Sequence, residues 1–213
     1  MRAIFSFFLL ALLSSQCVYA DTLTVWKRNY DAPFFKESLE NLLTLSAEKY
    51  GDVTLVPSEE MEQGRAFIEL QAGKIDIFIA GINQQREQKA KPIYIPLDRG
   101  LLGFRVCMVR EEESRLTDIR SVNEFLDKQL TVGLGEEWPD LRVYNENGFV
   151  TVTSPTYSNL FIMLQNKRFD CFSRSLNEID NELSVLQESD LKIDSNLVFI
   201  YPNADFIYVN NNS

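Results

Sequence analysis

From residue 22 onwards, short apolar runs alternate with longer segments whose apolar residues recur at helical spacing. The runs at 22–26, 53–56 and 75–80 have the length and the β-branched, apolar composition of strands. Helices are predicted between them at 31–50 and 61–72, where apolar residues return every three or four positions. Strand, helix, strand, helix and strand with short connections predict a parallel sheet.

The first long helix shows the clearest signals at its ends. Asp31 is a candidate N-cap, Pro33 suits the first turn, and Gly51 suits the end of the helix. One apolar stripe is predicted to face the core, formed by Phe35, Leu39, Leu42, Leu43, Ser46 and Tyr50.

The same alternation restarts in the second half of the chain. Between the halves, residues 93–110 are extended and punctuated by glycine, as expected of a long strand that passes between two lobes. Further strands are predicted at 130–134, 149–153 and 169–173. Helices are predicted at 139–146, 158–167 and 175–186, and a short helix is predicted to begin at the capping box of residues 121–124. A strand at 196–201 returns towards the first lobe, and a short one follows at 206–209. The pattern therefore predicts two α/β units of similar order.

The first 20 residues have the features of an export signal. Arg2 supplies a positive start, residues 4–13 form a short apolar core, and residues 18–20 resemble a signal peptidase site. The apolar run is about half of the ~20 residues that a membrane span needs. We expect cleavage after Ala20, with Cys17 removed in the leader.

Composition narrows the functional classes. The chain has 21 basic and 31 acidic residues and a net charge of −10, which argues against nucleic acid and anionic membranes as partners, although solubility alone also explains the charge. It contains no histidine, so Ser-His-Asp and Cys-His systems and His-based metal sites are excluded, and we expect no cofactor or metal. Cys107 and Cys171 either pair in an oxidising compartment or stay as small buried hydrophobes, and their spacing does not decide.

Residues 64–100 carry an ordered set of motifs: a helix closed by glycine, an apolar strand containing aspartate, a polar turn with arginine, and a second extended run. The motif residues are Leu70, Gly73, Asp76, Gly81, Gln85, Arg86, Pro92 and Ile93. This order resembles the corresponding part of bacterial extracellular solute-binding proteins of family 3, the periplasmic amino-acid-binding class. The resemblance extends loosely over residues 23–209.

The resemblance implies an α/β, two-lobed periplasmic-binding-protein-like fold of type 2. Each lobe is then a mostly parallel sheet flanked by helices, and crossing strands join the two. The expected division is a signal peptide at 1–20, lobe one at 21–100, lobe two at 101–196, and a return to lobe one at 197–213. In the family, further helical segments follow the return strand. They are missing here, so the protein is either natively short or a truncated reading frame.

The polar turn after the third strand is a position where open α/β sheets bind ligands. By resemblance, Arg86 binds a ligand carboxylate, for which a guanidinium offers two parallel donors, and Gly81 and Asn83 lie in the same turn. The alternative is a solvated arginine paired locally with Glu87. Tyr30 follows the first strand, where the family places an aromatic residue that stacks on the ligand. Packing on a helix face is the competing explanation.

In lobe two, Trp138 lies in a glycine-containing turn between a strand and a helix, where it either lines the cleft or covers the helix end. Arg174 stands beside Ser175, which occupies the position of the acid that binds the ligand's amino group in the family. Without that acid, and with Arg86 and Arg174 both facing a cleft, an anionic or dicarboxylate solute fits better than a zwitterion.

The predicted function is capture of a small polar or anionic solute, amino acid or carboxylate-like, by hinge closure. The protein would be periplasmic, monomeric and without chemistry of its own, and its partner would be an inner-membrane transporter or a membrane sensor. One alternative is a lyase or dehydratase on the same scaffold, which needs a cleft carboxylate with a raised pKa; Glu136, Glu137 and Glu178 are available. A truncated paralogue that binds nothing is the third possibility.

Overall fold

The computed structural model describes residues 21–185 and 190–211, so the predicted signal peptide lies outside the described residues. In chain order the elements are β1 (Asp21–Val25), α1 (Lys27–Asp31), α2 (Pro33–Tyr50), β2 (Val53–Pro57), α3 (Gln63–Gln71), β3 (Phe78–Gly81), α4 (Gln84–Lys89), β4 (Lys91–Ile93), β5 (Phe104–Arg110), α5 (Val122–Asp127), β6 (Thr131–Gly135), α6 (Asp140–Glu146), β7 (Val150–Ser154), α7 (Tyr157–Gln165), β8 (Cys171–Ser175), α8 (Leu176–Val185), β9 (Leu191–Ile200) and β10 (Asp205–Val209).

Lobe one contains β1 to β4, α1 to α4 and the returning strand β10. Strand β1 pairs in parallel with β2, and a parallel bridge between Val25 and Ile77 links β1 to the start of β3. Strand β10 lies antiparallel between β3 and β4. The strand order is therefore β2-β1-β3-β10-β4, and β10 is what joins β4 to the rest.

Lobe two contains β5 to β9 and α5 to α8, with strand order β7-β6-β8-β5-β9. Strand β6 is parallel to β7 and β8, while β5 is antiparallel to both β8 and β9. In each lobe, the sheet thus consists of three parallel strands, then one strand antiparallel to them, and then an edge strand antiparallel to that one. The predicted architecture of two similar α/β lobes is confirmed.

Each lobe has its own aromatic-rich core, which is consistent with two separately packed units. In lobe one, Trp26 stacks on Phe78 at 5.2 Å between ring centroids. In lobe two, Phe125 packs against Phe149 and Phe199, at 5.4 and 5.7 Å. The lobe two core also contains a disulfide between two fully buried cysteines, Cys107 and Cys171. Of the two possibilities that their spacing left open, pairing or free buried thiols, the structure therefore has the pair.

Three local predictions for lobe one are wrong. Asp31 does not cap α2, whose N-cap is Ala32; it ends the short helix α1, where it pairs with Lys27 four residues earlier. The apolar stripe of α2 is only partly covered, because Leu42 and Tyr50 are 48% and 68% exposed. The turn that carries Arg86 is the helix α4, which Asn83 caps by accepting a hydrogen bond from the Arg86 amide at 2.8 Å.

The connection between the lobes also differs from the predicted continuous strand. The Asp98 carboxylate accepts hydrogen bonds from the Gly100 and Leu102 amides, and this folds the chain into a 3₁₀ turn between β4 and β5. The predicted return strand at 196–201 is part of β9, which stays in the lobe two sheet through the pair Phe104–Ile200. The expected limit of lobe two at residue 196 consequently falls inside β9, and β10 makes the return.

Among the described residues, no helix combines the length and apolarity required to cross a membrane.

Candidate functional site

A cavity of about 430 Å³ lies between the two lobes and takes its walls from both. Lobe one contributes the residues that follow β1, such as Trp26, and Gly81 at the end of β3. Lobe two contributes Trp138 before α6, Tyr157 at the start of α7, and Glu178 in α8. The cavity therefore lies beside the carboxyl ends of parallel strands, where sheets of this kind bind ligands.

The lobes touch each other beside this cavity. The backbone amide of Tyr157 in lobe two donates to the Glu62 carboxylate of lobe one at 3.3 Å. The Arg28 guanidinium lies 4.5 Å from the centre of the Tyr157 ring and 3.3 Å from Glu62. Together with the contact between Arg86 and Glu137 described next, these interactions hold the lobes in a closed arrangement.

Arg86 is buried between the lobes, 5% exposed, and does not line the cavity. Its Nη1 donates to the Gly81 carbonyl at 2.7 Å. Its Nη2 donates to Gln63 Oε1 at 2.7 Å and, across the lobes, to the Glu137 carbonyl at 3.0 Å. Burial lowers the pKa of Arg86. The Arg86 N–H groups that, by the resemblance, would bind a ligand carboxylate are therefore already hydrogen-bonded to protein oxygens from both lobes.

The other predicted site residues divide into two groups. Gly81, Trp138 and Arg174 line the cavity. Tyr30 packs against the lobe one core that contains Val25 and Leu39, and the Asn83 side chain caps α4.

Arg174 is on the cavity wall, but its charge is already matched. It is buried, and its Nε donates to Glu182 at 2.8 Å while its Nη2 donates to Glu178 at 3.0 Å. The guanidinium also lies 4.9 Å from the centre of the Trp138 ring. Burial opposes ionisation, yet Glu178 and Glu182 raise the pKa of Arg174 above its usual range. The hypothesis of an anionic solute assumed free guanidinium groups at Arg86 and Arg174, and the structure leaves neither free.

Arg105 is, with Arg174, one of two buried arginines on the cavity wall, and it was not among the site residues predicted from the sequence. It forms an ion pair with Asp140 at the start of α6, and its Nε donates to the Tyr201 hydroxyl at 3.1 Å. Its Nη1 lies 3.7 Å from Glu178 Oε2. Burial opposes ionisation, but Asp140, Tyr201 and Glu178 raise the pKa of Arg105. The sequence does contain a signal for Arg105: it is an arginine inside the apolar run of β5, and a charge buried in a strand needs a charged or polar partner.

Asp205, also missed, is the first residue of β10 and lies opposite Gly81 in the sheet. It lines the cavity and is 6% exposed, and within the described chain its carboxylate has no hydrogen-bond partner. Burial raises the pKa of Asp205 well above the usual range, and the nearby Glu178 and Asp98 carboxylates raise it further. Nothing in the local sequence distinguishes it from a surface aspartate beside a turn.

Acidic side chains outnumber basic ones on the cavity wall. Four are basic, namely Lys27, Arg28, Arg105 and Arg174, and six are acidic, namely Asp31, Glu60, Asp140, Glu178, Glu182 and Asp205. Over residues 21–185 and 190–211, no set of three or more cysteine, aspartate or glutamate side chains is arranged to hold a metal ion.

Solved structures share this two-lobed arrangement over nearly the whole chain. An ancestral arginine-binding protein bound to glutamine is 18% identical, with 90% of this chain and 85% of that chain covered and a TM-score of 0.64. The periplasmic VFT2 domain of Bordetella pertussis BvgS is 16% identical, with coverage of 91% and 82% and a TM-score of 0.67. The ligand-binding core of GluR0 from Nostoc punctiforme, solved with L-glutamate, is 16% identical, with coverage of 91% and 86% and a TM-score of 0.57.

These likenesses show that the chain has the two-lobed, Venus-flytrap fold of type 2 periplasmic binding proteins. No protein-family model and no curated protein sequence matches it.

Proposed function

We propose that the protein captures a small polar solute in the cavity between its lobes and that lobe closure retains it there. The cavity itself carries this proposal. Its volume of about 430 Å³ is within the ~300–1,000 Å³ typical of small-molecule sites. Because its walls come from both lobes, a bound solute stabilises the closed arrangement over an open one.

Export to the periplasm and delivery to an inner-membrane transporter or a membrane sensor belong to the same proposal. The structural neighbours support it, since one is described as the substrate-binding protein of an amino acid ABC transporter and another as a periplasmic domain of BvgS. The apolar core and cleavage motif of residues 1–20 support export.

A thermal-shift screen of the purified protein against amino acids, dicarboxylates and amines tests solute capture. A ligand at 100 times its Kd stabilises the native state by about 2.7 kcal/mol, which raises the melting temperature measurably. The Phe34→Ala variant should lose affinity, because Phe34 lines the cavity and is 51% exposed, so its removal leaves the core intact.

Leu45→Ala is the matched control for this variant. Leu45 lies on the same helix, is 84% exposed and does not line the cavity, so affinity should be unchanged. If no compound class stabilises the protein, or if both variants lose affinity equally, capture in this cavity is disproved.

One observation favours a second candidate, a lyase or dehydratase on this scaffold. Such an enzyme needs a cleft carboxylate with a raised pKa, and burial together with the nearby Glu178 and Asp98 carboxylates raises the pKa of Asp205. Turnover of a hydroxy acid or amino acid by the wild-type protein, lost in Asp205→Asn, would establish it. Stable binding without turnover would eliminate it.

A further inference from the structure

The charges on the cavity wall point to the class of solute. Each basic side chain there already has an acidic partner within 4 Å: Lys27 with Asp31, Arg28 with Glu62, Arg105 with Asp140, and Arg174 with Glu178 and Glu182. An incoming carboxylate would compete with these partners for the same ammonium and guanidinium groups. For Arg105 and Arg174, which are almost completely buried, displacement would leave the original carboxylate unpaired in a low-dielectric site.

The remaining donor groups do not offer a substitute anchor. Arg105 Nη1 has no hydrogen-bond partner, but it has essentially no accessible surface, so a solute in the cavity does not reach it. Arg86 lies away from the cavity wall, and its two terminal nitrogens already donate to three protein oxygens. Among the described residues, every cation on the cavity wall therefore already has an acidic partner.

Two carboxylates on the wall, in contrast, have no ion-pair partner among the described residues. Asp205 is buried at the end of the β3–β10 pair and lines the cavity, and the charges of Arg105 and Arg86 act on it only at longer range than an ion pair. Glu60 is exposed, and its charge interacts with that of Lys27 at a distance longer than an ion pair. A buried carboxylate without a partner is costly, and a solute that brings an ammonium group removes that cost.

The uncharged part of the wall suits a short hydrocarbon chain. It includes Ile79, Ala80 and Leu102 together with the aromatic side chains Trp26 and Phe34. Aliphatic groups pack against such surfaces, and the faces of aromatic rings attract cations. The absence of a metal-binding arrangement in the described chain argues for an organic cation over a metal ion.

We propose that the solute is a small aliphatic amine that lacks a carboxylate, and that the Asp205 and Glu60 carboxylates bind its ammonium groups. The two unpaired carboxylates match two positive charges, so a diamine or guanidino-amine balances the cavity best. This inference rests on the proposed function, since it names the solute class of the same cavity.

Matched pairs of ligands test the inference, because members of a pair differ only in one carboxylate. The pairs are agmatine with arginine, 1,5-diaminopentane with lysine, and 1,4-diaminobutane with ornithine, measured by isothermal titration at pH 7.5. We expect the amine of at least one pair to bind at least tenfold more tightly than its amino acid. Equal or tighter binding of the amino acid in every pair overturns the inference and leaves solute capture standing. If a wider set of amino acids, dicarboxylates and amines also fails to bind, solute capture itself fails.

Two variants locate the ammonium groups. Asp205→Asn and Glu60→Gln should each weaken binding of the preferred amine at least tenfold. Glu60 is exposed, so its variant is expected to fold, and melting without ligand checks the Asp205 variant. The control is Glu146→Gln, an exposed acid that does not line the cavity and pairs with Arg142. Unchanged amine affinity in both test variants would refute the assignment.

Discussion

Replacing Arg86 with alanine distinguishes a structural role from a ligand-binding role. The wild-type side chain donates to the Gly81 carbonyl, to Gln63 Oε1 and to the Glu137 carbonyl at 2.7, 2.7 and 3.0 Å. The last of these bonds joins the two lobes. Because the protein oxygens are present without any solute, the variant should be less stable even when no ligand is added.

The expected loss of stability in Arg86→Ala can be estimated from the three acceptor oxygens that lose their hydrogen bond to Arg86. A buried acceptor left without a partner costs about 1–3 kcal/mol, and the Gly81 carbonyl is in this position because Gly81 is buried. Gln63 and Glu137 are partly exposed, so water replaces most of what they lose, at about 0.5–1 kcal/mol each. The free energy of unfolding should therefore fall by about 2–5 kcal/mol.

Urea unfolding of the ligand-free protein measures this change, with two control variants. Gln63→Ala removes one acceptor and should cost about 1 kcal/mol. Arg86→Lys keeps the charge but replaces the planar guanidinium by a single ammonium, so it should recover only part of the loss. A ligand-free stability of Arg86→Ala within about 0.5 kcal/mol of wild type would refute the structural role. A loss of ligand affinity alone would return Arg86 to the ligand-binding role.

Three further perturbations test other parts of the structure. The Cys107→Ala, Cys171→Ala double variant should lose about 4 kcal/mol of unfolding free energy, since the disulfide closes a loop with a sequence separation of 64. Urea unfolding with and without reductant measures this loss, and an unchanged free energy of unfolding would contradict the disulfide. Gly133→Ala should cost about 1–3 kcal/mol, because a Cβ there would lie 2.3 Å from the Phe169 ring; an unchanged melting temperature would show that the ring moves freely. The raised pKa of Asp205 means that the native state holds its proton more tightly than the unfolded state does, so this stabilisation is complete below the unfolded pKa of about 3.9 and is lost as the pH rises through the higher native value. Asp205→Asn should accordingly gain stability relative to wild type as the pH rises above about 4, and a pH-independent difference in urea midpoints would disprove it.

The sequence predicted the strands and helices well wherever one face of an element is covered. Strand β2 and helices α3 and α6 lie within about two residues of their predicted limits, because periodicity reports burial directly. The prediction failed where a single side chain redirects the backbone. Asp98 folds residues 100–103 into a turn, and the polar sequence around Arg86 forms a capped helix.

The candidate site was harder to predict, since partners in a cleft come from distant parts of the chain. Arg174 was identified, but the acids that neutralise it are on the following helix, and their relevance depends on which face of α8 meets the cleft. Asp205 is 124 positions away from Gly81, its neighbour in the sheet. A motif reports residue types in order, whereas charge balance depends on three-dimensional proximity.

The position of β10 has a consequence for folding of the protein. Strands β3 and β4 are joined through β10, whose side chains Ile207 and Tyr208 fill both hydrophobic clusters of lobe one. Lobe two is built from one continuous stretch that ends before β10, so its sheet can form without that strand. The sheet of lobe one stays open until β10 is in place. We therefore expect a purified chain that ends before residue 205 to be protease-resistant in its second half and protease-sensitive in its first.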